Sequence, residues 1–434
     1  MNNENNKSTD FDYFNTLLVH GVGGRVGPIA PTIVPSAAFG YQDAQEAEGI
    51  FASEVNKPLY ARVGNPTNAK LEGIVAKMEG GFGAIATSSG MGAISMVCTA
   101  FLNTGDELLC IGGFFGGTYS LVNDTLARFG VTNSFCTVDD FDHIESALKR
   151  GVKMVLMESV GNPSLTLPDV QRIIDLCNRY ETLLMIDNTA TPLLLRPLTM
   201  GADISVHSST KNMSGHSAAL GGVAVFRAVK EEGDKLLNKK YSDVHKIVKK
   251  MGKKAFIPIC KKRAIRDFGM TANAFGSFMT MVGLETLSLR VERINQSVES
   301  VALLLDEKLP KGVSVNHPCI PSSPDHARYK LDFAQGCGPL LSIDCGSKER
   351  AFAFLNKLKL VILTANIGDN RTLALHMTST IYSDFNEEAR KFLGVSDGLI
   401  RVSIGLEDPK AVAADFLQAA NALYAVRCER DFYV

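Results

Sequence analysis

Short apolar runs recur through the first half of the chain, at Gly83 to Thr87, Glu107 to Ile111, Lys153 to Met157, Leu183 to Ile186, Ile204 to Val206 and Gly222 to Phe226. Between most of them the apolar positions shift to helical spacing, as at Leu71, Ile74, Val75 and Met78. Strands alternating with helices predict a mostly parallel sheet covered on both faces. Ligands in that architecture bind outside the carboxyl ends of the strands.

After about residue 273 the texture changes. A long helix through Leu305, a strand at Leu340 to Asp344, a helix at Glu349 to Leu358, a strand at Leu399 to Ile404 and a last helix at Pro409 to Val426 predict a smaller C-terminal α/β domain. The expected division is an extended N-terminal segment over 1–65, an α/β domain over 66–270 and the C-terminal domain over 271–434.

Candidate chemistry concentrates where the predicted strands end. In Ile204-Ser-Val-His-Ser208-Ser-Thr210-Lys211 a lysine follows an apolar strand among small hydroxyl residues. A lysine attacks an aldehyde only as the neutral amine, which burial or a nearby cation favours. Ser208 and Thr210 are sized to bind a phosphate beside it, so the site suits the Schiff base of pyridoxal phosphate (PLP). Some two dozen residues earlier, Leu183-Leu-Met-Ile-Asp187 ends in a carboxylate that suits the ring nitrogen of that cofactor, whose electron-sink chemistry needs an anion there; an ordinary helix cap is the alternative. The run Ala84-Ile-Ala-Thr-Ser-Ser89-Gly90-Met91 passes from strand through a glycine turn into a helix, where free N–H groups cradle anions. Tyr60 and Arg62 precede a helix with Asn65 or Thr67 as cap and Pro66 in its first turn, and a guanidinium offers bidentate phosphate recognition.

Six segments stand in an order and spacing that resemble the Cys/Met-metabolism PLP-dependent enzymes: Tyr60-x-Arg62, Ser89-Gly-Met91, Glu158-Ser-Val-Gly-Asn162-Pro, Asp187-Asn-Thr, Ser208-x-Thr-Lys211 and Leu399-Ile-Arg401-Val-Ser-Ile-Gly-Leu-Glu-Asp. The resemblance covers nearly the whole chain. It implies the aspartate-aminotransferase-like fold (fold type I), with a seven-stranded sheet. It implies that Lys211 holds PLP, Asp187 pairs with the ring nitrogen, Asn162 bonds the ring hydroxyl, and Ser89, Gly90, Met91, Ser208 and Thr210 surround the phosphate. Phe115 would stack on the ring. Arg401 would clamp the substrate carboxylate with Asn366 beside it, and Tyr60 and Arg62 would reach into a neighbouring subunit's site, making a homodimer the minimum and a homotetramer the expected state.

Softer motifs, Leu-Thr-Ala-Asn366-Ile-Gly-Asp, the Gly-Gly-Thr after Phe115, and Asn273-Ala-Phe with Gly283-Leu-Glu-Thr-Leu, are more similar to the O-acetylhomoserine sulfhydrylases. Methionine γ-lyases usually carry a cysteine where this chain has Gly117. The implied reaction replaces the γ-acetoxy group of O-acetyl-L-homoserine with sulfur from sulfide or a sulfur-carrier protein, giving L-homocysteine for methionine biosynthesis. A methionine γ-lyase, a cystathionine γ-synthase or lyase, and a non-catalytic PLP-binding module are the alternatives. Three positions depart from the family pattern. Phe115 stands where a tyrosine is usual, Ala218 where an aspartate generally follows Gly-His-Ser, and Tyr382 where a histidine usually ends His376-Met-Thr-Ser-Thr-Ile. Phe115 keeps the stacking and loses the acid. A departing thiolate gains from a proton donor and acetate does not need one, so Phe115 favours an acyloxy leaving group.

Composition adds boundaries. With 434 residues, 45% hydrophobic and a net charge of −1, the chain can bury a large core and shows no bulk affinity for nucleic acid. The polar start, Met1-Asn-Asn-Glu-Asn-Asn, and the lack of any long apolar run lead us to expect a cytoplasmic protein without signal peptide or membrane span. Nine cysteines without Cys-x-x-Cys or zinc spacing suggest buried thiols, with no metal. His207 and His216 flank the lysine without an assigned role. Between Lys235 and Arg266, twelve basic residues face one acid, Asp243. A solvated helical face is the favoured reading, and steering of an acidic sulfur-carrying partner or of sulfide is the sharper one.

Overall fold

The computed structural model describes residues 10–430, apart from 24–25, 53, 56, 231–236 and 238–239. Seven strands form the larger sheet: β1 (Gly83–Thr87), β2 (Glu107–Ile111), β3 (Thr132–Cys136), β4 (Met154–Glu158), β5 (Leu183–Asp187), β6 (Ile204–His207) and β7 (Gly222–Phe226), in the order β1-β7-β6-β5-β4-β2-β3. All neighbours are parallel except those of β7, which runs antiparallel to both β1 and β6. Five strands form the smaller sheet: β8 (Ser314–Asn316), β9 (Leu340–Asp344), β10 (Ile362–Leu363), β11 (Leu373–His376) and β12 (Leu399–Ser403), in the order β10-β11-β12-β9-β8.

The continuous apolar character of the large-sheet strands follows from burial on both faces, because successive side chains point to opposite sides. Leu108, Cys110, Leu156 and Met185 pack on one side against Ile94, Val97 and Phe101 of the Gly90–Phe101 helix. Leu109, Ile111, Met157 and Ile186 pack on the other side against Ile144, Ile173 and Ile174. That second layer runs on without a break into Val298, Leu341, Ile343 and Phe416 of the smaller domain.

The structure revises several expected elements. β3, Thr-Asn-Ser-Phe-Cys, carries no apolar run because it is an edge strand whose side chains are mostly half-exposed. β8, β10 and β11 are too short to leave a clear period. The long helix expected through Leu305 is two helices, Ala274–Leu284 and Leu287–Lys308. The break has a packing cause: a Cβ on Gly283 would lie 2.4 Å from the Ser214 carbonyl oxygen, and Arg290 reaches back to satisfy the Gly283 carbonyl at 2.6 Å. The segment before residue 66 is not extended throughout. Phe11–Val22 is a helix capped by Asp10 that buries Phe14, Leu18 and Val22 along one face, and Ala44–Phe51 is another.

In the basic run, Lys235 and Lys239 lie outside the described residues. Helix His245–Met251 lays Ile247, Val248 and Met251 against the core and turns Lys246, Lys249 and Lys250 to solvent, as a solvated face does. Lys240 turns inward instead, donating to the Val152 carbonyl at 3.1 Å and to Thr182 Oγ1 at 2.6 Å. The eight described cysteines are buried. No helix among the described residues is long and apolar enough to cross a membrane. Phe416 and Phe354 stack fully buried where the last helix covers the smaller sheet, so Phe416→Ala is expected to cost about 3–5 kcal/mol. Denaturant unfolding followed by fluorescence or circular dichroism checks this.

Candidate active site

The carboxyl ends of β1, β2, β4, β5 and β6 meet at a single cleft of about 880 Å³, measured to its open mouth. Ten of the thirteen residues expected from sequence line it: Ser89, Gly90, Met91, Phe115, Asn162, Asp187, Ser208, Thr210, Lys211 and Arg401. β4 and β5 pair Glu158 directly with Asp187, and β6 ends one residue before Ser208. Parallel register therefore sets these groups side by side.

The cradle at the cleft's base is a close backbone approach. Ser89 caps the Gly90–Phe101 helix, its hydroxyl accepting from the Gly92 N–H at 3.0 Å. The amides of Gly90 and Met91, in the helix's first turn, have no intrahelical acceptor and carry its positive end. A Cβ on Gly90 would lie 2.6 Å from Ser208 Cβ, and one on Gly222 would lie 2.2 Å from the Ser89 carbonyl oxygen. Only glycines let this turn nest between Ser208 and β7. Thr210 is fixed by two hydrogen bonds with the Gly221 backbone at 3.0 Å each.

Lys211 is the central cation. Burial, with the Arg401 charge as a second cause, pushes its amine down to about 8. Arg401 is itself buried on β12, held down to about 10 by desolvation, and donates to Asn162 Oδ1 at 3.3 Å. Asp187 accepts from the Thr189 N–H at 3.0 Å, and burial raises its carboxyl above the usual range. A cationic ring nitrogen would restore its ionised form. An amine near neutrality, a desolvated carboxylate and a glycine-walled helix N-terminus with hydroxyls fit the aldehyde, pyridine nitrogen and phosphate of PLP.

Three expected residues stand elsewhere. Asn366 adjoins the cleft, accepting from Lys211 Nζ at 2.6 Å through Oδ1. Tyr60, 44% exposed, and Arg62, which donates to the Arg266 carbonyl, lie outside the cleft of their own chain. Sequence reasoning gave no role to Glu158, although its motif was in view. It lines the cleft, accepts from the Phe115 N–H at 2.8 Å and is pushed well above the carboxylate range by burial, then by the neighbouring Asp187 charge. Thr189, which also lines the cleft and accepts from the Ser208 N–H at 2.7 Å, was likewise passed over. Its signal was its place directly after Asp187-Asn.

Comparison with known proteins places the chain in a family. The family described as Cys/Met metabolism PLP-dependent enzyme matches residues 15–421. A homocysteine synthase of Schizosaccharomyces pombe is 34% identical over 94% of this chain and 98% of its own length. An L-methionine γ-lyase of Fusobacterium nucleatum is 32% identical over 92% of this chain and 94% of its own. A Campylobacter jejuni structure described as an O-acetylhomoserine (thiol)-lyase, carrying N'-pyridoxyl-lysine-5'-monophosphate, superposes with a TM-score of 0.88 at 29% identity, covering 94% of this chain and 99% of that one. The fold is that of the fold type I PLP enzymes, and PLP is the cofactor.

The amine environment sets an expected pH response. PLP capture by the cofactor-free full chain, followed by absorbance, should rise with pH through a midpoint near 8, where the neutral amine becomes the major form. Arg401→Met removes one of the two causes and should move that midpoint upward.

Proposed function

The chain belongs to the Cys/Met-metabolism PLP-dependent enzymes, and from that premise we propose that it catalyses γ-replacement on O-acetyl-L-homoserine, with sulfide or an acidic sulfur-carrier protein as donor, giving L-homocysteine and acetate. The observation that carries the choice of leaving group is Phe115. Among the described residues no tyrosine lines the cleft. Tyr382 is buried nearby, with its hydroxyl given to the carbonyls of Phe114 and Asn162 at 3.1 Å each, and burial raises its phenol further. With Phe115 in that place the chain sets no phenol of its own in the cleft, which suits a leaving group that departs as a stable carboxylate. The homocysteine synthase relative supports the same reading.

Bound PLP supplies an electron sink conjugated to the α carbon of the amino acid. Asp187 keeps the ring nitrogen protonated, Phe115 stacks on the ring, and Asn162 fixes its hydroxyl. The cradle of Ser89, Gly90, Met91, Ser208 and Thr210 holds the phosphate. Arg401 takes the substrate carboxylate in a bidentate grip. The Lys211 amine, once free, would remove the α proton and move a proton at the β carbon, which would let acetate leave the γ carbon. The sulfur nucleophile adds there, and Lys211 returns the protons. We further place the enzyme in the cytoplasm as a homotetramer built on dimers. Tyr60 and Arg62, standing outside their own cleft, would complete the partner subunit's site. An acidic donor protein would dock on the exposed lysines of the His245–Met251 helix and of the turn that follows it. γ-Elimination is the second reading, favoured by the similarity to an L-methionine γ-lyase.

Purified enzyme should form homocysteine only when O-acetyl-L-homoserine and sulfide are both present, and Lys211→Ala should abolish it. Ammonia and a 2-oxo acid from L-methionine without sulfide would move the assignment to the lyase. Phe115→Tyr, which restores a phenol, should raise that elimination by at least about tenfold. Glutamate at Lys249, Lys250, Lys253 and Lys254 should slow turnover with a carrier-protein donor and leave the sulfide reaction unchanged; an unchanged, salt-independent rate with the protein donor removes the docking proposal.

A further inference from the structure

Asn366 faces Lys211 with its amide oxygen, and what holds it there is a chain of polar groups that the γ-replacement scheme does not use. The Asn366 Nδ2 donates to Ser217 Oγ at 2.9 Å. Ser217 Oγ–H donates in turn to Asp369 Oδ2 at 2.5 Å. Asp369 is 1% exposed and is gripped by Arg371 through Nε at 2.6 Å and Nη2 at 3.0 Å, with the Arg371 backbone N–H at 2.9 Å on the same carboxylate. Ser217 lies on the loop after β6 of the larger domain, whereas Asn366, Asp369 and Arg371 lie between β10 and β11 of the smaller one.

Ser217 has φ +54, a left-handed conformation that few non-glycine residues adopt. Such strain persists where surrounding contacts over-determine it, and it marks a position worth a functional explanation. Here it aims the hydroxyl. Ser217 is exposed, so water competes for it, and the anchor that wins must be a charged acceptor. With the hydroxyl proton committed to Asp369, the Ser217 oxygen presents only lone pairs to Asn366. That fixes which way the amide faces. Its NH₂ must point to Ser217 and its oxygen to Lys211, making Asn366 an acceptor toward the amine. An acceptor takes an N–H and leaves the lone pair of a neutral amine free for the cleft. The opposite amide orientation would donate to that lone pair and block it.

We propose that Ser217 and Asp369 are positioning residues that act through Asn366 to hold the Lys211 amine with its lone pair open to the cleft. The inference rests on Lys211 being the lysine that carries PLP, and it assigns Asn366 to the lysine in place of the substrate carboxylate.

Ser217→Gly is the informative variant, because glycine adopts φ +54 without strain while losing the hydroxyl. Its thermal midpoint should equal or exceed that of the parent. Borohydride reduction of the holoenzyme followed by peptide mass spectrometry first locates the pyridoxyl group; any lysine other than Lys211 overturns the underlying reading and this inference with it. With Lys211 labelled, exchange of the α-hydrogen of L-methionine in D₂O, followed by NMR, should slow on the order of tenfold in kcat with KM little changed. In the cofactor-free full chain, the pH midpoint for reductive methylation of Lys211 should fall below that of the parent, since an acceptor that favoured the charged form is weakened. Asn366→Ala should reproduce both effects, and the double variant should add nothing. An unchanged midpoint, additive effects in the double variant, or a KM change at constant kcat would overturn the proposal.

Discussion

Keeping a lysine amine near neutrality inside a protein is the constraint on which the rest of this structure depends. Lys211 has a buried guanidinium, Arg401, as its electrostatic neighbour, and both are held below their ordinary values by desolvation. Burial pushes the carboxyls of Asp187 and Glu158 above the usual carboxylate range as well. Each of these groups is costly to keep charged in a low-dielectric pocket. A phosphate at the helix N-terminus and a carboxylate at Arg401 would offset the buried cations. Such a cleft would favour a dianionic cofactor and a carboxylate-bearing ligand for the same physical reason.

The cradle shows how backbone geometry delivers that selectivity. Ser89 and Gly90 follow β1, Ser208 follows β6 and Gly222 opens β7, yet they sit within contact distances that exclude any Cβ at the two glycines. Arg290 adds a clamp from behind. Its guanidinium spans the carbonyls of Asn212 and Met213 at 2.7 and 3.3 Å, directly after Lys211. A buried cation that bonds main-chain carbonyls fixes a turn without bringing a carboxylate near the amine. A carboxylate placed there would raise the lysine amine, and it has no N–H to give these carbonyls.

Much of this was legible in the sequence, and the failures have physical causes. Six of the seven large-sheet strands are continuous apolar runs because both of their faces are covered, and the strand that was missed, β3, is the half-exposed edge. The residues at the strand ends were legible because topology puts all parallel carboxyl ends at one place, so order along the chain became proximity in space. Glu158 stood in plain view and was passed over, since nothing in a sequence distinguishes a carboxylate that will be desolvated from one that will be solvated. The orientation of Asn366 was also hidden: it depends on Ser217 and Asp369, 149 and 3 residues away along the chain, and on which end of an amide faces which neighbour. The two-helix break at Glu285–Thr286 needed the approach of Gly283 to the turn after Lys211, a tertiary contact that overrides helical periodicity.

The expected boundary near residue 270 marks a change of texture, and the apolar core crosses it. One cluster of buried apolar residues passes from Ile144, Ile173 and Ile186 through Ile294 and Val298 to Ile343, Phe354 and Phe416. Swinging the smaller domain would expose that surface to water, at a cost that scales with the area opened. Arg401 is itself buried in β12, whose neighbours Ile400 and Val402 belong to the same layer. Arg401 thus meets Asn162 by core packing, with no need for a closing motion. A site assembled this way gains its precision before substrate arrives, and differences in reaction outcome fall to the few side chains that face the cleft from loops. Phe115, held by its N–H on Glu158, is the foremost of these.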